Sequence, residues 1–231
     1  MSKLAPMISI DGINNAGKTT ALYELGYLLS QEGKNVSYCR GDGVRAGLGA
    51  TALDPPSDWW QKNSALLRGK HVGDRPADIE KRVAAIASLR LAHEAANLRT
   101  TISSDPDAVL LQDRGVISRL FVAGRYEPGT TLSDIMPGSM RYDRAKAIPD
   151  LIFILHCSVE QLFIRNEIRD SPDEKKAFNK DIILKFYDEF YRVALKPPPE
   201  LEDRVVVINA NSSAEEVVEQ LYDEVNNRAL L

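Results

Sequence analysis

The chain has 231 residues, 44% of them hydrophobic, and is long enough to bury one sizeable core as a single domain. Its 29 lysines and arginines nearly balance 33 aspartates and glutamates, so the net charge of -4 excludes a general attraction to nucleic acid or an anionic membrane. No apolar run approaches the roughly 20 residues that span a bilayer, and we expect a soluble, cytoplasmic protein. Cys39 and Cys157 lie in or beside strand-like runs without metal-ligand spacing, which favours two buried thiols.

Short apolar runs alternate with longer segments of helical periodicity, the pattern of βα units around a mainly parallel sheet. The predicted strands are Met7–Asp11, Asn35–Cys39, Ala108–Asp113, Asp150–His156 and Arg204–Asn209. The predicted helices are Lys18–Gln31, Pro76–Thr101, Val116–Ala123, Val159–Arg169, Asp173–Leu195 and Ala214–Ala229. Several strands lack polar alternation, which indicates burial on both faces. We therefore predict a three-layer α/β fold with a five-stranded, mainly parallel sheet flanked by helices.

Two long segments fit neither pattern. Residues 41–75 and 125–149 are rich in Gly, Pro, Asp and Ser, and loops of this length in a compact domain are more often functional than decorative. Residues 196–200 contain three consecutive prolines and are predicted to form a stiff connector.

A glycine-rich loop follows the first predicted strand. Residues 12–19 read GINNAGKT and fit GxxxxGK[ST] directly before a helix. In that context backbone N–H groups converge on phosphates, and the helix N-terminus adds its positive dipole end. Lys18 is predicted to reach the β- and γ-phosphates of a nucleoside triphosphate, and the Thr19 hydroxyl to ligate Mg²⁺. The predicted triphosphate site comprises Gly12, Asn14, Asn15, Ala16, Gly17, Lys18, Thr19 and Thr20.

Asp113 ends the third predicted strand, and Arg114 follows it. The carboxyl edge of a parallel sheet is where ligands bind in such folds, so Asp113 is a candidate metal ligand beside the phosphate loop. Capping the helix that begins near Val116 is the alternative role for Asp113. Arg114 is suited to hold a phosphate with two parallel hydrogen bonds.

Four segments, in this order, resemble the thymidylate kinase family of nucleoside monophosphate kinases. IDGINNAGKTT (10–20) is similar to the family's FEGIDGAGKTT, and DRGVIS (113–118) to DRYxxS. PDLIFILHCSVEQLFIRNEIR (149–169) resembles a PDLxxxL strand followed by a helix with spaced arginines, and INANSSAEEV (208–217) resembles IDAxxSxExV. The resemblance implies ATP and Mg²⁺ as cofactors and a lid near residues 165–180.

The resemblance also implies roles for five arginines. Arg40 and Arg114 would lie beside the acceptor phosphate, and Arg90 would read the acceptor base. Arg165 and Arg169 would belong to a lid helix that closes over the transferring phosphoryl group. Each has a solvated surface cation as its alternative role.

Other roles follow from the same resemblance. Ala210 and Asn211 would lie in the loop against adenine, and Asp11 is assigned to the acceptor side. Gly115 stands where the family has a tyrosine, and Asn14 and Asn15 stand where acidic and Gly or Arg residues are usual. Relatives are often dimers through helices beside the sheet, so a homodimer is an open expectation.

The predicted reaction is phosphoryl transfer from ATP to a nucleoside monophosphate, dTMP or a related deoxynucleotide. A monophosphate oxygen is already anionic and needs arginines rather than a base. A nucleoside 5′-hydroxyl instead benefits from a carboxylate base, for which Asp42 is the candidate. Two alternatives therefore stay open: a deoxynucleoside kinase, and a catalytically silent relative that binds ATP.

Overall fold

A computed structural model describes residues 3–40, 92, 94–126, 129–135, 144–168 and 180–231. Five strands form one sheet: β1 Met7–Gly12, β2 Asn35–Arg40, β3 Ala108–Asp113, β4 Leu151–His156 and β5 Val205–Asn209. Their spatial order is β2-β3-β1-β4-β5, and every neighbouring pair is parallel. The predicted fold class, an α/β fold with a parallel sheet between helices, is confirmed.

The helices follow the predicted pattern: α1 has the predicted bounds, and the other predicted helices end at different residues. Their bounds are α1 Lys18–Gln31, α2 94–102, α3 Val116–Tyr126, α4 Leu132–Ile135, α5 Arg144–Ala147, α6 Val159–Glu167, α7 Lys180–Ala194 and α8 Ala214–Asn227. The segment 125–149, unassigned from the sequence, contains α4 and α5, which are too short to produce a helical period. The predicted connector at 196–200 runs into a 3₁₀ helix, Pro199–Arg204, because proline suits the first helical position. In the described ranges, no helix has the length and apolarity needed to cross a membrane.

The centre of the sheet is buried on both faces, as the lack of polar alternation predicted. All residues of β1 and β3 are buried, whereas Val207 on the edge strand β5 is 48% exposed. Helix α1 packs against β1, β2, β3 and α8, and α3 packs against β1 and α7. This packing fixes the phosphate-loop end of β1 between β3 and β4.

A buried arginine holds the opposite end of β1. Arg99 is 4% exposed and donates hydrogen bonds to the carbonyls of Ala5 (2.7 Å) and Ile148 (3.1 Å). It also pairs with the carboxylate of Asp150, which accepts a hydrogen bond from the Met7 N–H at 2.9 Å. Asp150 therefore anchors the starts of β1 and β4 at the amino edge of the sheet.

The start of α8 provides a stability prediction. Ser213 Oγ accepts a hydrogen bond from the Glu216 N–H (3.2 Å), and the Glu216 carboxylate accepts one from the Ser213 N–H (3.1 Å). Since this capping box satisfies N–H groups that the helix leaves open, Ser213→Ala is expected to lower the free energy of unfolding by about 1 kcal/mol in urea titrations. Ser212→Ala, which removes a serine outside the box, is the control. Equal stability of the two variants would contradict this account.

Candidate functional site

The loop between β1 and α1 turns sharply and lies close to β4. A Cβ added to Gly12 would lie 3.2 Å from the Leu155 carbonyl oxygen, so a larger residue there requires a shift of the strands. Asn15 (φ 72°) and Gly17 (φ 91°) both occupy the left-handed region. Glycine enters this region freely, and Asn enters it more readily than most residues. The sequence of the loop therefore matches the conformations that its turn requires.

Lys18, the first residue of α1, lies inside this loop. Its side chain is 6% exposed, and Nζ donates a hydrogen bond to the Ile13 carbonyl at 2.8 Å. An ammonium group beside the N-terminus of a helix is a strong attractor for phosphate oxygens. Lys18 Nζ therefore lies against the turn of the loop, and its predicted contact with the β- and γ-phosphates stays a prediction.

Thr19 connects the loop to the neighbouring strand β3. Its Oγ1 donates a hydrogen bond to Asp113 Oδ2 at 3.1 Å. The sheet register makes this contact available, because Ile10 of β1 pairs with Asp113 of β3. A hydroxyl and a carboxylate are oxygen donors of the kind Mg²⁺ prefers, and Mg²⁺ is often held by one or two protein groups together with substrate phosphates. The two predicted metal ligands therefore lie together and fit the ion.

Arg114 extends from the end of β3 to the loop. Its backbone has φ 65°, a conformation that costs a residue with a side chain about 1–2 kcal/mol. Its Nη2 donates a hydrogen bond to Asn14 Oδ1 at 2.7 Å. The strained turn after Asp113 thus brings a guanidinium to the phosphate loop.

The side chains of Lys18, Thr19 and Arg114 border one cavity of about 240 Å³. Three of the residues that line it are cationic and none is acidic; the lining consists of Asn14, Asn15, Gly17, Lys18, Thr19, Thr20, Arg114 and Arg165. A cavity with this charge balance favours a polyanionic ligand such as a phosphate chain.

Arg165, on α6, braces the loop from the side of β4. Its Nη1 donates to the carbonyls of Ala16 (3.1 Å) and Asn15 (3.4 Å), and its Nη2 donates to the Ala210 carbonyl (2.8 Å). Asn211 Oδ1 accepts a hydrogen bond from the Ser158 N–H, at the start of the same helix. The predicted adenine-side residues thus lie next to the phosphate loop, and Arg165 bridges the two. Its predicted role over the transferring phosphoryl group stays a prediction.

Asp11, near the end of β1, lies at the N-terminus of α3. It is fully buried, and its Oδ1 accepts hydrogen bonds from the N–H (2.9 Å) and the hydroxyl of Ser118. Burial raises the pKa of the Asp11 carboxyl, against the opposing effects of the Ser118 hydrogen bonds and the charges of Arg119 and Lys18. Asp11 is not among the residues that line the cavity, and its predicted acceptor role stays a prediction.

The raised pKa of Asp11 gives a pH-dependent stability prediction. The folded protein holds the Asp11 proton to higher pH than the unfolded chain, so this group favours folding less as pH rises from its ordinary pKa of 3.8 through the folded pKa. The free energy of unfolding of wild type, minus that of Asp11→Asn, is therefore expected to fall over this range. Urea titrations of both proteins between about pH 3 and pH 8 measure the difference. A difference that rises with pH would contradict the prediction.

Gly115 is required by the packing around Asp11. A Cβ at this position would lie 2.5 Å from Ser9 Cβ and Oγ and 2.8 Å from Asp11 Oδ2. The departure from the tyrosine of the resembled family thus has a local steric reason. Ser9, which lies beside Asp11, was not identified from the sequence, and Ser118 was noted only as the last residue of DRGVIS. A serine between the two isoleucines of β1 was the available signal for Ser9.

Several predicted site residues lie outside what the structure describes. They are the side chain of Arg40, residues Asp42, Arg90 and Arg169, the long segment 41–75, and most of the predicted lid near 165–180. Arg40 ends β2, where its backbone pairs in register with Asp113. The predicted acceptor side is therefore represented in the described residues mainly by Arg114.

Comparison with known proteins indicates a distant relationship. No protein-family model matches the chain. A thymidylate kinase from Mycoplasma mobile is 26% identical over 77 residues, which cover 33% of this chain and 36% of that protein. The match thus spans about a third of the relative's length. Together with the parallel sheet, it indicates a distant relationship to P-loop kinases.

Proposed function

We propose that this protein is a nucleoside monophosphate kinase that transfers the γ-phosphoryl group of ATP to dTMP or a related deoxynucleotide. The observation that carries the proposal is the cationic cavity in which Lys18 and Arg114 meet beside the Thr19–Asp113 pair. One cation belongs to the phosphate loop and the other to the end of β3. Such an arrangement suits two phosphate groups that approach each other.

On the donor side, the loop N–H groups and Lys18 bind the phosphate chain of ATP. Lys18 exchanges its hydrogen bond with the Ile13 carbonyl for phosphate oxygens. Mg²⁺, held by Thr19 and Asp113, would neutralise charge on the β- and γ-phosphates. Ala210 and Asn211 are proposed to border adenine, and Arg165 keeps them against the loop.

On the acceptor side, Arg114 clamps the monophosphate. An oxygen of that phosphate attacks the γ-phosphorus of ATP, and the bond from this phosphorus to the β–γ bridging oxygen breaks, which leaves ADP. The attacking oxygen is already anionic, so no general base is required. Arg40, Arg90 and Arg169 are proposed to complete the acceptor and lid contacts.

Removal of the Arg114 side chain is expected to affect the acceptor more than the donor. In assays of ADP release with ATP and Mg²⁺, Arg114→Ala should raise the KM for the monophosphate by about 10- to 100-fold, because a charged, two-pronged phosphate contact is lost. The KM for ATP should change much less. An equal rise in both KM values would contradict the acceptor role.

The acceptor class is tested with a panel of deoxynucleosides and their monophosphates. We expect ADP release with at least one monophosphate and none above background with the nucleosides. Turnover of nucleosides alone would favour the deoxynucleoside kinase, with Asp42 as base. Tight ATP binding without transfer to any acceptor would identify a catalytically silent relative.

A further inference from the structure

Asn14 is an uncharged hydrogen-bond partner of the Arg114 guanidinium. Its Oδ1 accepts a hydrogen bond from Arg114 Nη2 at 2.7 Å, and both side chains border the phosphate cavity. Within the described part of the chain, Asn14 is the residue whose side chain accepts a hydrogen bond from the Arg114 guanidinium. The partner of this cation is thus a neutral amide.

A neutral partner has a different effect on the cavity from a carboxylate. A carboxylate at the same place would form a charge-assisted bond about twice as strong as a neutral one. It would also cancel much of the positive charge that an incoming phosphate experiences. An amide instead fixes the position of the guanidinium and leaves its full charge available.

The backbone conformation of Arg114 is fixed, but its long side chain needs a contact to hold it at the loop. Its left-handed φ of 65° is held by a hydrogen bond from its N–H to the Ile10 carbonyl (3.1 Å), and the long side chain then extends towards the loop. Without an acceptor on the loop, the rotatable bonds of arginine would let the guanidinium leave the cavity. Ordering such a side chain costs up to about 2 kcal/mol of entropy.

We propose that Asn14 is a positioning residue that holds the Arg114 guanidinium at the phosphate cavity while leaving its charge uncompensated for an anionic ligand. For the acceptor, this rests on the proposed function: the charge that Asn14 leaves uncompensated on Arg114 would act on the phosphate of the acceptor.

The holding role is tested with a double-mutant cycle. The probe is inorganic pyrophosphate, a free anion small enough to contact Lys18 and Arg114 together in the cavity that both line, whereas the phosphate chain of ATP is held on the donor side. It is titrated calorimetrically into wild type, Asn14→Ala, Arg114→Ala and the double variant. Arg114→Ala is expected to weaken binding by about tenfold, and Asn14→Ala by about threefold. Because Asn14 acts through Arg114, the double variant should bind no more weakly than Arg114→Ala alone. Additive losses, or no loss from Arg114→Ala, would overturn the proposal.

The importance of a neutral partner is tested with Asn14→Asp, which keeps the shape and adds a negative charge. It should weaken pyrophosphate binding by about tenfold or more, and by more than Asn14→Ala. Asn227→Asp, which adds the same charge at the exposed far end of α8, is the matched control and should bind like wild type within about twofold. Wild-type affinity in Asn14→Asp would overturn the proposal.

Pyrophosphate binding requires no turnover, so the outcome is separable from the proposed function. Non-additive losses in a protein that phosphorylates nothing would retain the Asn14 role and remove the kinase. Additive losses in a protein that phosphorylates a monophosphate would remove the Asn14 role and retain the proposed kinase function.

Discussion

Lys18→Ala is expected to lower kcat for phosphoryl transfer by about 1,000-fold, the largest effect on activity from any single substitution in this site. Lys18, the first residue of α1, is 6% exposed, and its ammonium group donates a hydrogen bond to the Ile13 carbonyl of the loop. Charge spreads over the γ-phosphoryl oxygens in the transition state, and a positioned ammonium group stabilises that charge more than the ground state. The initial rate of ADP formation at saturating ATP and acceptor measures the effect.

Lys34→Ala is the matched control for this substitution. Lys34 is a surface lysine that pairs with Asp107 at 3.4 Å, outside the cavity, so its removal should leave kcat within about twofold of wild type. Circular dichroism of the two variants checks that both are folded. Equal turnover of Lys18→Ala and wild type would contradict an enzymatic role for the loop.

Gly115→Ala is expected to destabilise the protein by about 3 kcal/mol, because the new methyl group overlaps with Ser9 and Asp11. Its Cβ would lie 2.5 Å from Ser9 Cβ, a separation that requires the buried strand β1 or the start of α3 to move. Neither side can yield easily, since Asp11 is tied to Ser118 by hydrogen bonds. Urea-induced unfolding followed by tryptophan fluorescence or circular dichroism measures the loss.

Gly124→Ala provides a control of the same chemistry. Gly124 lies within α3, and a Cβ there would have no atom within 4 Å. Alanine is the better helix former, so this variant should be as stable as wild type or more stable by up to about 1 kcal/mol. A Gly115→Ala protein as stable as Gly124→Ala would show that the packing around Asp11 is looser than described.

The strands were predictable because burial on both faces removes polar residues from them. β3 was predicted with both ends correct, and β1, β2, β4 and β5 each differ by one residue at one end. Helix ends were less predictable where a cap decides them: α6 ends at Glu167 and α8 at Asn227, each two residues before the predicted end. The short helices α4 and α5 have four residues each, which is too few to produce a helical period in the sequence, so they were identified only in the structure.

The site was predictable where chemistry and sequence spacing coincide. The Thr19–Asp113 contact follows from a loop after β1 and a carboxylate at the end of the adjacent β3. The contact between Arg114 and Asn14 was not foreseen, because it depends on a left-handed turn at a non-glycine residue. The position of Asp11 at the N-terminus of α3 likewise depends on tertiary packing, which a local sequence pattern does not show.

The central claim is that the loop from Gly12 to Thr19 is the donor half of a nucleotide kinase. Its most direct test is ³¹P NMR of wild-type protein with ATP, Mg²⁺ and dTMP or a related deoxynucleoside monophosphate. The account predicts that the γ-phosphate signal of ATP decays while signals of ADP and of the acceptor diphosphate grow, and that Lys18→Ala shows neither change. Persistent ATP signals with every monophosphate, in a protein that binds ATP, would contradict it.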